Sequence, residues 1–241
     1  DCTHAGRAFA TQLGRELAEV GVRVVSGLAL GIDGAAHAGV LSVSGGPPVG
    51  VVGSGLDVVY PRRHTELWER VATAGVLLTE HPLGAKPVGW HFLARNRIIA
   101  ILAEVVVVVE SHASGGALQT ATEAGQRGRT VLVVPGSTQS VASEGTNALL
   151  RDGCGVCCDT TDVLTALGLS GVRRPRPDAR PAPSSTGEAV LRAMGGEPCS
   201  LEQIMLRSSL GLGELVAELD RLETDGWIVR RGAWCERVGP R

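Results

Sequence analysis

The chain has 241 residues, of which 44% are hydrophobic and 20% are charged, and its formal net charge is −2. This composition is ordinary for a globular protein with one medium and one small domain, and it excludes a general polycation, so nucleic-acid binding would require a local patch. The six cysteines lack the paired spacing of a zinc site, and no apolar run reaches the roughly 20 residues of a membrane span. We therefore expect no metal, no membrane association and a reducing, cytoplasmic location.

Apolar runs alternate with helical patterns along the first two thirds of the chain. The first pattern is an amphipathic helix with Phe9, Leu13 and Leu17 on one face. Strands that lack polar alternation are buried on both faces, which predicts a doubly wound, Rossmann-like α/β domain with a parallel sheet over residues 1–169. The predicted strands are 23–27, 49–55, 76–80, 105–110 and 130–136, and the further helices are 33–43, 64–74, 95–104, 116–127, 146–152 and 161–168.

The composition changes after this domain. Residues 170–186 are rich in proline and arginine and poor in large apolar side chains, which predicts a semi-extended linker. Three helical patterns and two short strands around Gly232 follow, and they predict a small winged-helix domain over 187–241. Its third helix, at 213–225, carries five acidic residues against Arg221 alone, so we expect this domain to contact protein rather than a DNA duplex.

Two segments that follow predicted strands have the glycines of an anion-binding turn. These are SGLALGID at 26–33 and HASGGALQT at 112–120. Each precedes a helix N-terminus, where free amides and the helix dipole favour a phosphate. Neither fits a dinucleotide fingerprint or a P-loop. The alternative interpretation is a plain strand-to-helix turn, with Asp33 as the cap of its helix.

Two other segments, YPRRH at 60–64 and WHFLARNR at 90–97, combine aromatic and basic residues. Arginine binds phosphate oxygens in a bidentate manner, and aromatic rings stack on bases of any sequence. The carboxyl ends of parallel strands share one edge of a sheet, so these clusters favour a ligand with several phosphates over a mononucleotide. In the alternative interpretation the rings fill a core and the arginines pair with Glu80 or Glu110.

Taken together, seven stretches resemble the DNA-processing protein A family (DprA, also called Smf). The resemblance covers residues 1 to about 168 in the family's order, and the end of the chain resembles the family's winged-helix appendage. It implies a protein that binds single-stranded DNA, protects incoming strands in natural transformation and loads the RecA recombinase. It also implies a homodimer, no catalysis and no required cofactor. The stretches are VVSGLALGIDGAAH, VVGSGLDVVYPRRH, LLTEHPLGAKP, HFLARNRIIA, SGGALQTA, GRTVLVVPG and EGTNALLRDG.

Carried over by position, the resemblance also implies a set of DNA-binding residues. Ser26, Gly27 and Gly31 would lie at one phosphate contact. Arg62 or Arg63 would be a cation for the DNA backbone. The central groove and its opposite wall would consist of Phe92, Arg95, Asn96, Arg97, Ser114, Gly115, Gly116 and Thr120.

One departure and two alternatives stay open. The family begins this domain with a strand ending in Gly-Ser-Arg before a stretch matching CTHAG, so we expect the first strand to be missing from a chain that begins at Asp1. SGGALQTATE loosely resembles the P-G-G-x-G-T-x-x-E signature of phosphoribohydrolases, with departures at Ser114 and Gln119. A nucleotide-processing enzyme is therefore the alternative function, and a module that only binds protein through its winged helix is the third.

Overall fold

The computed structural model describes residues 2–169 and 180–238. The chain divides into two compact units, Asp1–Arg173 and Arg174–Arg241. Within the described ranges, no helix is both long and apolar enough to cross a membrane. In the same ranges, no group of three or more His, Cys, Asp or Glu side chains is placed to hold a metal ion.

The N-terminal unit alternates helices and short strands. Two three-stranded parallel sheets form, with the orders β1-β2-β3 and β4-β5-β6. The prediction of a parallel α/β fold is therefore confirmed. The elements are α1 (His4–Glu19), β1 (Val25–Ser26), α2 (Ile32–Val40), β2 (Val49–Val51), α3 (Thr65–Ala74), β3 (Val76–Leu78), α4 (Gly89–Leu102), β4 (Val105–Val108), α5 (Gly116–Gln126), β5 (Thr130–Val133), α6 (Glu144–Arg151), β6 (Gly155–Val156) and α7 (Thr160–Ala166).

The outer edges of β1 and β4 are where the two sheets stop. Among the described residues, β1 pairs only with β2 and β4 only with β5. Two cavities of about 380 Å³ and 750 Å³ are each lined by residues of both edge strands, including Val25 and Val105.

Helix α4 begins six residues before its predicted start at residue 95. Its N-cap, Val88, makes no side-chain capping bond, and the first helical residue is Gly89. Neither is a helix-start signal, since the preferred N-caps are Ser, Thr, Asp and Asn. The sequence therefore carries no local signal for the first turn of α4, and this segment was predicted as a loop.

Helices α1 and α2 pack closely, with glycines facing the backbone of the partner helix. A Cβ on Gly14 would lie 2.3 Å from Ala36 O, and a Cβ on Gly39 would lie 2.1 Å from Thr11 O. Real Cβ atoms do not approach backbone oxygens so closely, and backbone cannot rotate away as a side chain does. The two helices must separate if either glycine acquires a side chain.

We expect Gly39→Ala to lower the free energy of unfolding by about 1–3 kcal/mol, the range for overpacking a close contact. Gly125→Ala is the matched control, because Gly125 also lies inside a helix and a Cβ there would meet nothing within 4 Å. That control should raise stability by about 0.5–1 kcal/mol through helix propensity. Urea denaturation of both variants tests the pair, and equal effects would contradict the close packing of α1 on α2.

The C-terminal unit is a winged helix, as predicted. Its three strands form an antiparallel sheet in the order β7-β9-β8, and its core contains Ile204, Leu215 and Leu219. Ser200 caps α9 with a reciprocal capping box to Gln203. The elements are α8 (Ser185–Met194), β7 (Cys199–Ser200), α9 (Leu201–Ser208), α10 (Leu212–Thr224), β8 (Ile228–Arg231) and β9 (Trp234–Arg237).

The structure differs from the predicted linker, 170–186, at its C-terminal end. Residues 170–179 lie outside the described part of the chain. Arg180 is 9% exposed, donates hydrogen bonds to Gly226 O and Val238 O at 3.0 Å, and lies 3.8 Å over the Trp227 ring. Helix α8 then begins at Ser185. The composition suggested a spacer, whereas residues 180–186 contribute packing and a helix start to the winged helix.

Candidate nucleic-acid interface

Helix α4 connects the loops that follow the strands of the first sheet. Arg95 Nη1 donates to Gly27 O at 2.7 Å, in the loop after β1. His91 Nδ1 lies 3.1 Å from Gly53 O, in the loop after β2, and donates to it because a carbonyl oxygen only accepts. One helix therefore fixes the positions of two loops at the carboxyl edge of this sheet.

The same helix reaches the loops that follow β3 and β4. The Arg97 guanidinium forms an ion pair with Glu80. Asn96 Nδ2 donates to Gly116 O at 3.2 Å, at the first residue of α5. Successive residues of α4 thus contact loops that lie far apart in sequence. We call the surface formed by α4 and the loops after β1, β2, β3 and β4 the rim.

Arg95 was predicted to contact DNA, but its side chain is buried. Arg95 is only 4% exposed. Its Nη1 donates to Gly27 O and Val51 O, and its Nε donates to Asn96 Oδ1 at 3.2 Å. Burial lowers the pKa of the guanidinium, and the nearby Asp33 charge opposes that shift. Arg95 and Asn96 (9% exposed) therefore hold the rim from beneath it.

The loop after β1 also differs from the predicted phosphate site. The carboxylate of Asp33 accepts hydrogen bonds from Gly27 N at 3.0 Å and Ala29 N at 3.3 Å. The Gly27 amide is thus already bonded to an internal anion, which repels a phosphate at that position. Asp33 therefore organises the preceding loop, and it does not act as the helix cap that the sequence suggested.

Two residues in the loop after β1 have a backbone conformation with positive φ. Gly31 has φ 97° and ψ −120°, a conformation that favours glycine, and it is buried. Leu28 has φ 55° with a fully buried side chain, and His64 Nδ1 donates to its carbonyl at 2.9 Å. This role of His64 was not predicted, although the position of His64 directly after YPRR places it in the adjacent loop.

Two exposed cations of the rim lie on the loop after β2. Arg62 and Arg63 are exposed on a 3₁₀ turn, Arg62–His64. Neither guanidinium has an ion pair with another residue in the part of the chain that the structure describes. The ring of Tyr60 lies 5.2 Å from that of Phe92, which joins this loop to α4. Two unpaired charges therefore stand beside a ring pair.

The start of α5 is the second glycine turn that the sequence singled out. Gly115 is its N-cap, and a Cβ there would lie 2.3 Å from Ser111 Oγ, so a larger residue would displace that hydroxyl. Ser114 and Gly116 are exposed and Thr120 is half-buried. The helix N-terminus is thus open to solvent, which suits an anion.

A cavity of about 380 Å³ collects part of the predicted set. Ser26, Phe92, Arg95, Asn96, Gly116 and Thr120 line it. The other predicted residues lie outside its lining; they are Gly27, Gly31, Arg62, Arg63, Arg97, Ser114 and Gly115. Aliphatic residues such as Ile99 and Val105 form much of the remaining lining, and the exposed Arg62 and Arg63 stand apart from the cavity.

Beneath the rim lies His37, which is completely buried. Its Nε2 donates to Val49 O at 3.2 Å, and its Nδ1 has no hydrogen-bond partner among the described residues. Burial lowers the pKa of His37 below its ordinary 6.5, and the Asp33 charge partly opposes this shift. The imidazole is therefore held neutral inside the fold.

This burial predicts a pH-dependent stability. As pH falls below 6.5, His37 becomes protonated in the unfolded chain before it does in the folded chain. The stability that is present above pH 6.5 is therefore lost below it. The free energy of unfolding should fall by at most about 1.4 kcal/mol per pH unit. The His37→Gln variant, which keeps a donor for Val49 O, should lose this slope. Denaturation of both proteins at pH 7.5 and 5.5 tests it, and parallel pH dependences would contradict it.

Each of the two units matches a family model. A family model described as DNA recombination-mediator protein A matches residues 1–168, and one described as DprA winged helix domain matches residues 174–233. The chain is 39% identical over 238 residues to the putative DNA processing protein DprA of Mycobacterium tuberculosis, covering 96% of this chain and 61% of that protein. It therefore spans less than two thirds of that relative's length.

Two solved structures are similar to this one. DprA from Streptococcus pneumoniae has a TM-score of 0.63 and 36% identity, with 68% of this chain and 57% of that chain covered. DprA from Helicobacter pylori, described for its unique single-stranded DNA binding mode, has a TM-score of 0.64 and 28% identity, with 69% and 75% covered. Because the first family model matches 168 of 241 residues, the chain belongs to the DNA recombination-mediator protein A family, DprA/Smf.

Proposed function

We propose that this chain binds single-stranded DNA along the rim that α4 assembles. The observation that carries the proposal is the pair of exposed, unpaired arginines, Arg62 and Arg63, beside the Tyr60–Phe92 ring pair. Cations neutralise the sugar-phosphate chain and rings stack on unpaired bases, so the combination suits single strands. The open N-terminus of α5, with Ser114 and its glycines, supplies a further position for phosphate.

The wider role that we propose follows from the family. The chain would protect incoming strands during natural transformation, load RecA on them and act as a cytoplasmic homodimer without catalysis. In support, the H. pylori relative is described for its single-stranded DNA binding mode. The winged helix would contact protein. Within it, Arg230 of β8 pairs with Asp220 and Glu223, so this cation is already neutralised.

The phosphoribohydrolase alternative finds less support in the geometry. Its signature ends in a glutamate, which corresponds to Glu123. The carboxylate of Glu123 pairs with Arg127 one turn further along α5, at 2.5 Å. An acid or base in a reaction needs a carboxylate that faces the substrate. Release of free base from a nucleoside monophosphate would support that alternative against ours.

Fluorescence anisotropy with labelled oligonucleotides tests the proposed binding. We expect a poly-dT strand to bind more tightly than a duplex of equal length, because only the single strand offers bases for stacking. The logarithm of the affinity should fall with the logarithm of salt concentration by about 0.7 per neutralised phosphate. Equal affinity for the duplex, or no salt dependence, would contradict the proposal.

Releasing Arg97 from its ion pair should strengthen binding. Glu80→Gln removes the partner of Arg97 and one negative charge from the rim. We expect affinity for poly-dT to rise about fivefold at low salt, with a salt slope steeper by about 0.7, as for one added phosphate contact. Glu104→Gln is the control, because it changes the same charge where α4 turns into β4, at the opposite edge. Equal gains from both variants would show a general charge effect and contradict a role for Arg97.

A further inference from the structure

A cluster of three rings stands at the start of α4, next to the Tyr60–Phe92 pair. The His81 ring stacks on the His91 ring with centroids 3.8 Å apart and planes at 24°. Trp90 meets both imidazoles almost perpendicularly, at 4.2 Å from His91 and 6.3 Å from His81. Rings prefer such offset and edge contacts, so the two imidazoles support the indole from one side.

The support is fixed by the backbone of neighbouring loops. His91 is held by its hydrogen bond to Gly53 O at 3.1 Å. A Cβ on Gly53 would lie 3.0 Å from the Phe92 ring and 3.3 Å from the His91 carbonyl carbon, so glycine permits this close seating. His81 N donates to Thr79 Oγ1 at 3.1 Å. The imidazole pair is therefore tied to the loops after β2 and β3.

Trp90 itself remains 63% exposed. An indole gains free energy when its surface leaves water, and supported rings lose little conformational freedom on contact. The indole is thus oriented by its neighbours but not covered by the described part of the chain. Its open surface suits a flat, aromatic ligand.

The charges around the cluster favour a polyanion. Glu80 pairs with Arg97, and Asp57 accepts from Gly84 N at 2.8 Å and 3.0 Å. The cations of the adjoining loop, Arg62 and Arg63, have no such partner among the described residues. A ligand with flat rings and several negative charges matches this surface, whereas a purely apolar protein surface would leave the cations unmatched.

We propose that Trp90 is a base-stacking platform for single-stranded DNA, and that His81 and His91 are positioning residues that hold it. The inference rests on the proposed function and extends the rim beyond the ring of Phe92. A strand would place its phosphates near the arginine pair and one base on the indole. Stacking is indifferent to base identity, so the platform adds affinity without sequence preference.

The test compares two oligonucleotides of equal length, poly-dT and an abasic strand that keeps the phosphates but lacks bases. Trp90→Ala should weaken poly-dT binding about tenfold and leave abasic binding unchanged, as expected for one lost stacking contact. Trp90→Phe should retain most of the affinity. Leu83→Ala is the control, because Leu83 is an exposed apolar residue of the preceding loop (73%) and should change neither affinity.

The positioning role has its own variants. His81 Nε2 has no hydrogen-bond partner among the described residues, so phenylalanine preserves the stacked ring without losing a bond at that atom. His81→Ala should therefore weaken poly-dT binding by up to the tenfold expected for Trp90→Ala without weakening abasic binding, and His81→Phe should restore the affinity. A merely structural role would lower both affinities together and would overturn this assignment.

The outcomes separate the two proposals. Failure of the wild-type protein to bind poly-dT would overturn the proposed function and this inference with it. Wild-type binding combined with an unaltered Trp90→Ala variant, or with equal losses for both strands, would overturn the platform alone. Light scattering that showed a changed oligomeric state in Trp90→Ala, with unchanged binding per protomer, would instead assign Trp90 to an interface between copies and overturn the inference.

Discussion

Replacement of Arg95 by leucine is expected to lower the free energy of unfolding by about 3–5 kcal/mol, the cost of removing one partner from a buried polar network. The guanidinium of Arg95 donates to Gly27 O and Val51 O, which would lose those bonds. Each unsatisfied buried acceptor costs about 1–3 kcal/mol. Asp33 would also lose the positive charge that faces it inside the fold.

Lysine at the same position should not restore stability, because an ammonium cannot reproduce the forked geometry that reaches both carbonyls and Asn96. Arg97→Leu is the matched control on the same helix. Its ion pair is exposed (44% for Arg97 and 31% for Glu80), so the expected cost is below about 1 kcal/mol. Chemical denaturation followed by circular dichroism measures all three variants. A loss for Arg95→Leu no larger than the control would contradict the buried role.

If an Arg95 variant loses DNA binding, we attribute the loss to disruption of the rim and not to a missing contact between Arg95 and DNA. Arg95 ties the loop after β1 to α4, and its neighbour Asn96 ties α5 to the same helix. When both ties weaken, the exposed groups of separate loops no longer share one surface. A binding assay on Arg95 variants is therefore interpretable only beside their stability.

The location of the rim was readable from the sequence because parallel strands present their following loops at one edge. Runs such as Val105–Val108 are apolar and β-branched without alternation, and this pattern predicts buried strands. The alternation of apolar runs with helical patterns predicted the order of the strands and helices. Strand lengths were less readable, since the predicted strand 49–55 pairs only over Val49–Val51 before the glycines leave the sheet.

The direction in which each side chain points was not readable. Arg95 and Arg97 are two positions apart on one helix, yet the first is buried and the second is exposed. The difference arises from carbonyls that lie 68 and 44 residues away in sequence, at Gly27 and Val51. The spacing of residues along a helix does not predict hydrogen-bond partners that are so distant in sequence. The same holds for Asp33, whose bonds go backwards to the loop and not to its own helix.

Of the predicted cations, Arg62 and Arg63 should therefore contribute most to binding. We expect the double variant Arg62→Gln/Arg63→Gln to reduce the salt slope for poly-dT by about 1.4, from two lost contacts of about 0.7 each. Affinity near 50 mM salt should fall about 50-fold, because released counterions drive the association most strongly at low salt. Stability should change little, since both side chains are exposed and have no ion pair within the described residues.

Arg127→Gln/Arg129→Gln is the matched control for charge. These arginines adjoin the C-terminal end of α5, at the opposite edge of the sheet, and the substitution removes the same two charges. A steeper loss for the Arg62/Arg63 variant localises the phosphate contacts to the loop after β2. Equal losses would mean that binding of single-stranded DNA depends only on the net charge of the protein and is not localised to the rim. The slope decides between these outcomes more sharply than affinity does, because it counts neutralised phosphates and is insensitive to a uniform loss of active protein.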